Sequence, residues 1–146
     1  MEIVEAESMA GEVAYLLKEA QAMLHTRMDE VLRPIGLTVA QYACLESLRQ
    51  NPGITSSGLA RRAFVSRQSM NVLLHALSER GLVIRADEPG PRNQIAAELT
   101  ERAQILLATA HDRVETVVTR MTRSLDQRGL TALRAALVSC RDELAR

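Results

Sequence analysis

The stretch Thr55–Arg85, TSSGLARRAFVSRQSMNVLLHALSERGLVIR, constrains this chain more than any other. It carries an apolar stripe of Met70, Leu73, Leu74 and Leu77 at the i, i+3, i+4, i+7 spacing of one helix face. Such a stripe pins a helix to a core from behind. The opposite side opens with Arg67, Gln68 and Asn71 and continues one turn on with His75. These side chains hydrogen-bond base edges or phosphates. Thr55 is placed to cap a short helix holding Leu59 and Ala60, and Ser66 to cap the striped helix. Gly81 falls where a left-handed residue ends it. Two short helices around a tight turn, the second held from behind with polar groups at its N-terminal end, read as a helix-turn-helix. Its charge is one-sided: Arg61, Arg62, Arg67, Arg80 and Arg85 stand against Glu79 alone.

The flanks extend this unit. A long amphipathic helix is expected from about Ser8 to Arg33, with Val13, Leu16, Leu17, Ala20, Leu24, Met28, Val31 and Leu32 at helical spacing; Pro34 and Gly36 end it. Thr38 caps a second helix that buries Tyr42, Leu45 and Leu48 and stops at Asn51-Pro52-Gly53. After Gly81, Leu82–Ala86 reads as a short strand, Asp87-Glu88-Pro89-Gly90-Pro91 as a turn and Asn93–Leu99 as the returning strand, although Ala96 and Ala97 are poor strand formers. The hairpin is a wing. Thr100 then caps a long helix to about Ser124, and a last helix runs from about Asp126 to Leu144 with Leu130, Leu133, Leu137, Cys140 and Leu144 inward.

The expected architecture is mainly α with a small β-hairpin wing. It divides into an N-terminal helix over 1–35, a winged helix-turn-helix lobe over 36–99 and C-terminal helices over 100–146. The terminal helices carry more apolar surface than the compact lobe covers. They are expected to pack on each other and on a second subunit, a homodimer with a two-fold axis being the simplest closed solution. Two recognition helices would then meet successive major grooves about 34 Å apart.

Composition narrows the classes. The 146 residues suffice for one domain, and aromatic residues make up 2%: Tyr15, Tyr42 and Phe64. The net charge is zero, so the hint of a nucleic-acid partner lies in distribution: residues 1–32 are acidic and the middle is basic. There is neither a signal peptide nor an apolar run of membrane-spanning length, which points to the cytoplasm. Cys44 and Cys140, and His25, His75 and His111, show no metal-ligand spacing, so neither metal nor cofactor is expected. No phosphate loop or nucleophile elbow suggests an enzyme.

In order and spacing, Gly36-Leu37-Thr38, Gln41-Tyr42, Leu45, Leu48, the Pro52-Gly53 break, Leu59-Ala60, Val65-Ser66-Arg67-Gln68-Ser69, Leu77, Gly81-Leu82-Val83, Arg85 and Leu99-Thr100 resemble the MarR (multiple antibiotic resistance regulator) family. The resemblance covers roughly Gly36 to Thr100. It implies a homodimeric winged helix-turn-helix transcription factor, usually a repressor, often released from double-stranded DNA by a small molecule or an oxidant. The chain departs from the family at the wing. The family's Asp-x-Arg before Leu-Thr is replaced by Pro91 and Asn93 with Arg92 between them. A one-residue shift reverses the face in a strand, but the rule is looser at a hairpin tip, so Arg92 remains a candidate for the minor groove.

The DNA-binding candidates are therefore Ser56, Arg61, Arg62, Ser66, Arg67, Gln68, Ser69, Asn71, His75, Arg85 and Arg92. Gln68 and Asn71 suit adenine, and Arg67 suits guanine or phosphate. The resemblance places a small-molecule effector between the first, second and long fifth helices. Tyr15, His25, Met28, Tyr42 and Cys44 are the candidates there, with Met23 as a further apolar wall, and a small aromatic or amphipathic acid is the expected ligand. Two other readings stand beside this one: a degenerate winged helix that binds proteins rather than DNA, and a cysteine redox switch, which needs an accessible low-pKa thiol.

Overall fold

The computed structural model describes residues 8–85 and 96–146. Helix α1, Met9–Leu32, starts where Ser8 Oγ accepts a hydrogen bond from Gly11 N at 3.0 Å. A single 3-10 turn, Arg33–Ile35, leads to α2, Val39–Gln50. The α2 start is a reciprocal capping box: Gln41 N donates to Thr38 Oγ1 at 3.1 Å and Thr38 N donates to Gln41 Oε1 at 3.0 Å. Thr55 caps α3, Ser56–Arg62, and Ser66 caps α4, Arg67–Glu79. Strands β1, Val83–Ile84, and β2, Glu98–Leu99, pair antiparallel with Val83 opposite Leu99 and Ile84 opposite Glu98. Thr100 caps α5, Glu101–Met121, and Asp126 caps α6, Gln127–Leu144. This is a winged helix-turn-helix between long helices.

One core serves the lobe. Leu45 and Leu48 from α2, Leu59 from α3, Met70, Leu74 and Leu77 from α4, and Ala103, Leu107 and Ala110 from α5 form a single buried cluster. Leu32 and Leu37 close it from the α1 side. Leu73, the fourth member of the recognition-helix stripe, is partly buried at its margin.

Two expectations need correction. The returning strand is shorter than Asn93–Leu99, because Ala96 and Ala97 lie outside the ladder and are buried in the core. Their methyl groups are small enough to pack there, and Ala96 N donates to Ile54 O at 2.8 Å instead of to β1. Residues 86–95, which hold the expected turn and the first part of the returning strand, lie outside the described residues.

The second correction concerns α6, which has no buried residue. Leu133, Leu137 and Cys140 are exposed, and Leu144 is too; none faces the core of its own chain. The same holds for Val13, Leu16 and Leu17 in α1, and for Met121 and Leu125 beyond the buried part of α5. Helical spacing defines an apolar face without saying which body covers it. Among the described residues, no helix is long and apolar enough to cross a membrane.

Candidate nucleic-acid interface

Burial fixes the rotation of α4. With Met70, Leu74 and Leu77 inward and fully buried, Arg67, Gln68, Asn71, Val72, His75 and Glu79 are left exposed. Helical geometry at 3.6 residues per turn makes these one face. Three contacts hold the C-terminal end of α4 in place. Arg80 Nη1 donates to Gly36 O at 2.7 Å, Thr100 Oγ1 to Gly81 O at 2.8 Å, and Arg102 Nη1 to Arg80 O at 3.4 Å. The N-terminal end is left open and polar. Ser69 N donates to Ser66 Oγ at 3.0 Å, and Ser66 Oγ donates to Ser69 Oγ at 2.9 Å.

The predicted DNA-binding residues fall into three groups. Ser66, Arg67, Gln68, Ser69, Asn71 and His75 share α4 and its cap and are all exposed. Arg85 joins them: its Nη2 donates to Asn71 Oδ1 at 3.3 Å, tying the base of the wing to the recognition helix. The Asn71 carbonyl is thereby engaged, and its amide NH2 is the group left to face outward. His75 Nε2 lies 3.9 Å from Glu79 Oε1, both exposed. Ser56, Arg61 and Arg62 lie on α3. Arg62 Nη2 donates to Gln50 Oε1 at 3.1 Å, which directs it toward the end of α2, while Arg61 is exposed. Arg92 lies outside the described residues.

Two residues on this surface escaped the sequence reading. Val72 is 68% exposed in the middle of the polar face, four residues after Gln68. Phe64, in the turn between α3 and α4, is 94% exposed. Both are apolar, and helical periodicity by itself assigns apolar residues to the core side. The positions themselves were the available signal: one helical turn past Gln68, and two residues before the Ser66 cap.

The effector candidates do not converge. Tyr15 and His25 are exposed on α1, Met28 is half-buried, and Tyr42 and Cys44 are buried in α2. Cys44 Sγ approaches Met70 Sδ at 3.8 Å, so it packs under the recognition helix. Of the residues named for this region, Met23 lines a described cavity, the groove between α1 and α5, and Tyr15, His25, Met28, Tyr42 and Cys44 line none. The largest, about 750 Å³, lies between α2, β2 and α5 and combines Glu46, Arg49, His111 and Asp112 with apolar Leu48 and Leu107. Within it the Arg49 guanidinium holds the Glu46 carboxyl below the usual carboxylate range, aided by Gln50 and His111. A groove of about 440 Å³ between α1 and α5 is lined by Met23, Leu24, Val31, Val117 and Met121 together with Arg120 and the Arg27–Glu30 ion pair.

Burial pushes the Cys44 thiol up to about 12 and raises the Tyr42 phenol as well. A redox switch needs the opposite shift, toward thiolate at neutral pH. This removes Cys44 from the redox reading. Cys140, on α6, is the exposed cysteine.

Comparisons with known proteins agree with this geometry. The MarR family model matches residues 35–92. The HTH-type transcriptional repressor Rv2887 of Mycobacterium tuberculosis is 37% identical over 123 residues, which span 84% of this chain and 83% of that protein. The solved structure of that MarR family protein in complex with DNA has a TM-score of 0.71 at 32% identity, covering 87% of this chain and 95% of that one. Its complex with salicylic acid has a TM-score of 0.69 at 31% identity, covering 87% and 96%.

Cys44 is expected to resist a thiol reagent at pH 8 in the folded protein. In a Cys140→Ser variant, labelling should appear only with denaturant; rapid labelling of the folded variant would mean that Cys44 is accessible.

Proposed function

The chain belongs to the MarR family, and on that premise we propose that it is a sequence-specific transcriptional regulator, a repressor, that binds a two-fold symmetric site on double-stranded DNA as a homodimer. The observation that carries this is the α4 face: Arg67, Gln68 and Asn71 stand exposed beside the open N-terminal end of a helix whose other side is fully buried. That is the presentation a recognition helix needs for the major groove. Gln68 and the Asn71 amide read base edges, and Arg67 reads guanine or phosphate. Arg61 and Arg62 contact the backbone, which positions the protein without reading sequence. The lobe at 36–99 is the reader, and the segments at 1–35 and 100–146 hold the dimer. The protein acts in the cytoplasm, where its DNA is, and carries no enzymatic activity.

The support for a dimer is apolar surface. Leu16 and Leu17 of α1, Met121 and Leu125 after α5, and Leu133 and Leu137 of α6 are exposed in the single chain. Exposed apolar side chains in this number mark an interaction site. A two-fold partner covers it and fixes the spacing between the two α4 helices.

A small aromatic acid is the effector in this reading, as salicylic acid is a ligand of the M. tuberculosis protein. The α1–α5 groove suits such a molecule, since its Met, Leu and Val side chains take a ring and Arg120 in its lining takes a carboxylate. It lies among the helices assigned to the dimer. A ligand there shifts the separation of the readers only if it binds one dimer state better than the other.

On the DNA upstream of its own gene, Gln68→Ala should relax preference at one base position by about 1–3 kcal/mol, and Arg67→Ala should weaken binding. Unchanged affinity and selectivity in both would mean that another element reads the DNA. Leu133→Glu combined with Leu137→Glu should sediment as a monomer; a stable dimer would remove α6 from the interface. Titrating salicylate into the protein–DNA complex should release the DNA, and Arg120→Ala should raise the concentration required. Release at the same concentration in that variant would place the effector elsewhere.

A further inference from the structure

Helix α3 ends in a pair of hydrogen bonds that closes its last turn. Val65 N donates to Ala60 O at 3.0 Å and Phe64 N to Arg61 O at 3.3 Å. This Schellman arrangement forces the residue after the cap into the left-handed region, and Phe64 sits there with φ +57. Helix α4 ends the same way. Leu82 N donates to Leu77 O at 3.0 Å and Gly81 N to Ser78 O at 2.9 Å, with Gly81 at φ +72. Glycine takes that conformation freely, whereas a bulky side chain is strained in it.

The fold gains nothing visible from the Phe64 ring. At 94% it is the most exposed large apolar side chain among the described residues. It is also the one phenylalanine in a chain with few aromatics. A strained backbone that presents a bare aromatic ring to solvent points to a gain from outside the chain. The ring's position indicates where. Phe64 precedes the Ser66 cap of α4 by two residues, so its Cα is within about 7 Å of that cap. Arg61 precedes it in α3, and Arg67 and Gln68 follow it in the first turn of α4.

We infer that Phe64 is a specificity-determining residue that packs its ring on the 5-methyl group of a thymine at the edge of the major groove. The ring has no hydrogen-bonding group, so it adds nothing at a phosphate or at a polar base edge. The thymine methyl is the apolar feature that the major groove offers, and phenylalanine is one of the side chains that reads it. The inference rests on the assignment of α4 as the recognition helix.

The test uses the full-length protein and a duplex containing its selected binding site. Each thymine is replaced in turn by deoxyuridine, which removes the methyl and leaves the base pair intact. At one thymine the wild type should lose about fourfold in affinity, the value of one buried methyl-sized group. Phe64→Gly should bind the unmodified site at least about fourfold more weakly and be indifferent to uracil at that position. It should also melt at a higher temperature than the wild type, because glycine relieves the left-handed strain.

Wild-type affinity in Phe64→Gly, or an undiminished response to uracil, would overturn the inference. A lower melting temperature would do the same, by making the ring part of the fold or of the dimer. If Gln68→Ala loses selectivity while Phe64→Gly keeps it, the role of Phe64 fails and the function stands. If the wild type itself prefers no duplex, both fail.

Discussion

Burial of Met70, Leu74 and Leu77 is the interaction on which the rest of the molecule depends. Each of these side chains is fully buried, and each contributes about 1.5–3 kcal/mol relative to exposure. Together they fix the rotation of α4 about its axis. A helix turned by one residue swings its side chains by about 100°, which would carry Gln68 and Asn71 away from a common outward face. Arg80 on Gly36 O and Thr100 on Gly81 O then lock the far end against the α1–α2 junction and the start of α5. The N-terminal end is capped from within by Ser66, and its polar side chains remain outward. Burial is concentrated on one side of the helix, and the proposed recognition surface is on the other.

Most of the helical framework was legible in the sequence because its signals are local. Thr38, Thr55, Ser66, Thr100 and Asp126 each accept from the backbone N–H three residues on, as cap residues do. Ser8 does the same at α1. Gly81 has the left-handed φ that its place after the stripe implied. The strand boundaries were not legible in the same way. Ala96 and Ala97 sit in a segment that alternation would extend to a longer strand, yet the core and the Ile54 carbonyl take them instead. That outcome depends on tertiary neighbours, which no local pattern encodes.

The interface was readable where it follows from periodicity, and obscure where it depends on individual contacts. Arg67, Gln68 and Asn71 follow directly from the stripe behind them. The bond from Arg85 to Asn71 bridges the wing base and α4 and leaves no sequence signature. Phe64 carries no local signal of its own, and its exposure and left-handed φ show only in the structure. The effector candidates follow from the resemblance, which names helices and not the direction of each side chain. Side-chain direction then separated them: Cys44 turns under α4, while Tyr15 points to solvent. For α6 the apolar period was legible, but periodicity does not say which body covers the face, and the chain by itself leaves it uncovered.

The central claim, that the α4 face reads DNA, is tested most directly by the affinity of the wild-type protein for DNA upstream of its gene and for random duplex, across a salt series. A regulator should prefer the upstream duplex, with log K falling as log salt rises at roughly −0.9 per phosphate neutralised. Equal, weak affinity for both duplexes at every salt concentration would contradict the claim and leave the exposed α4 face without its proposed partner.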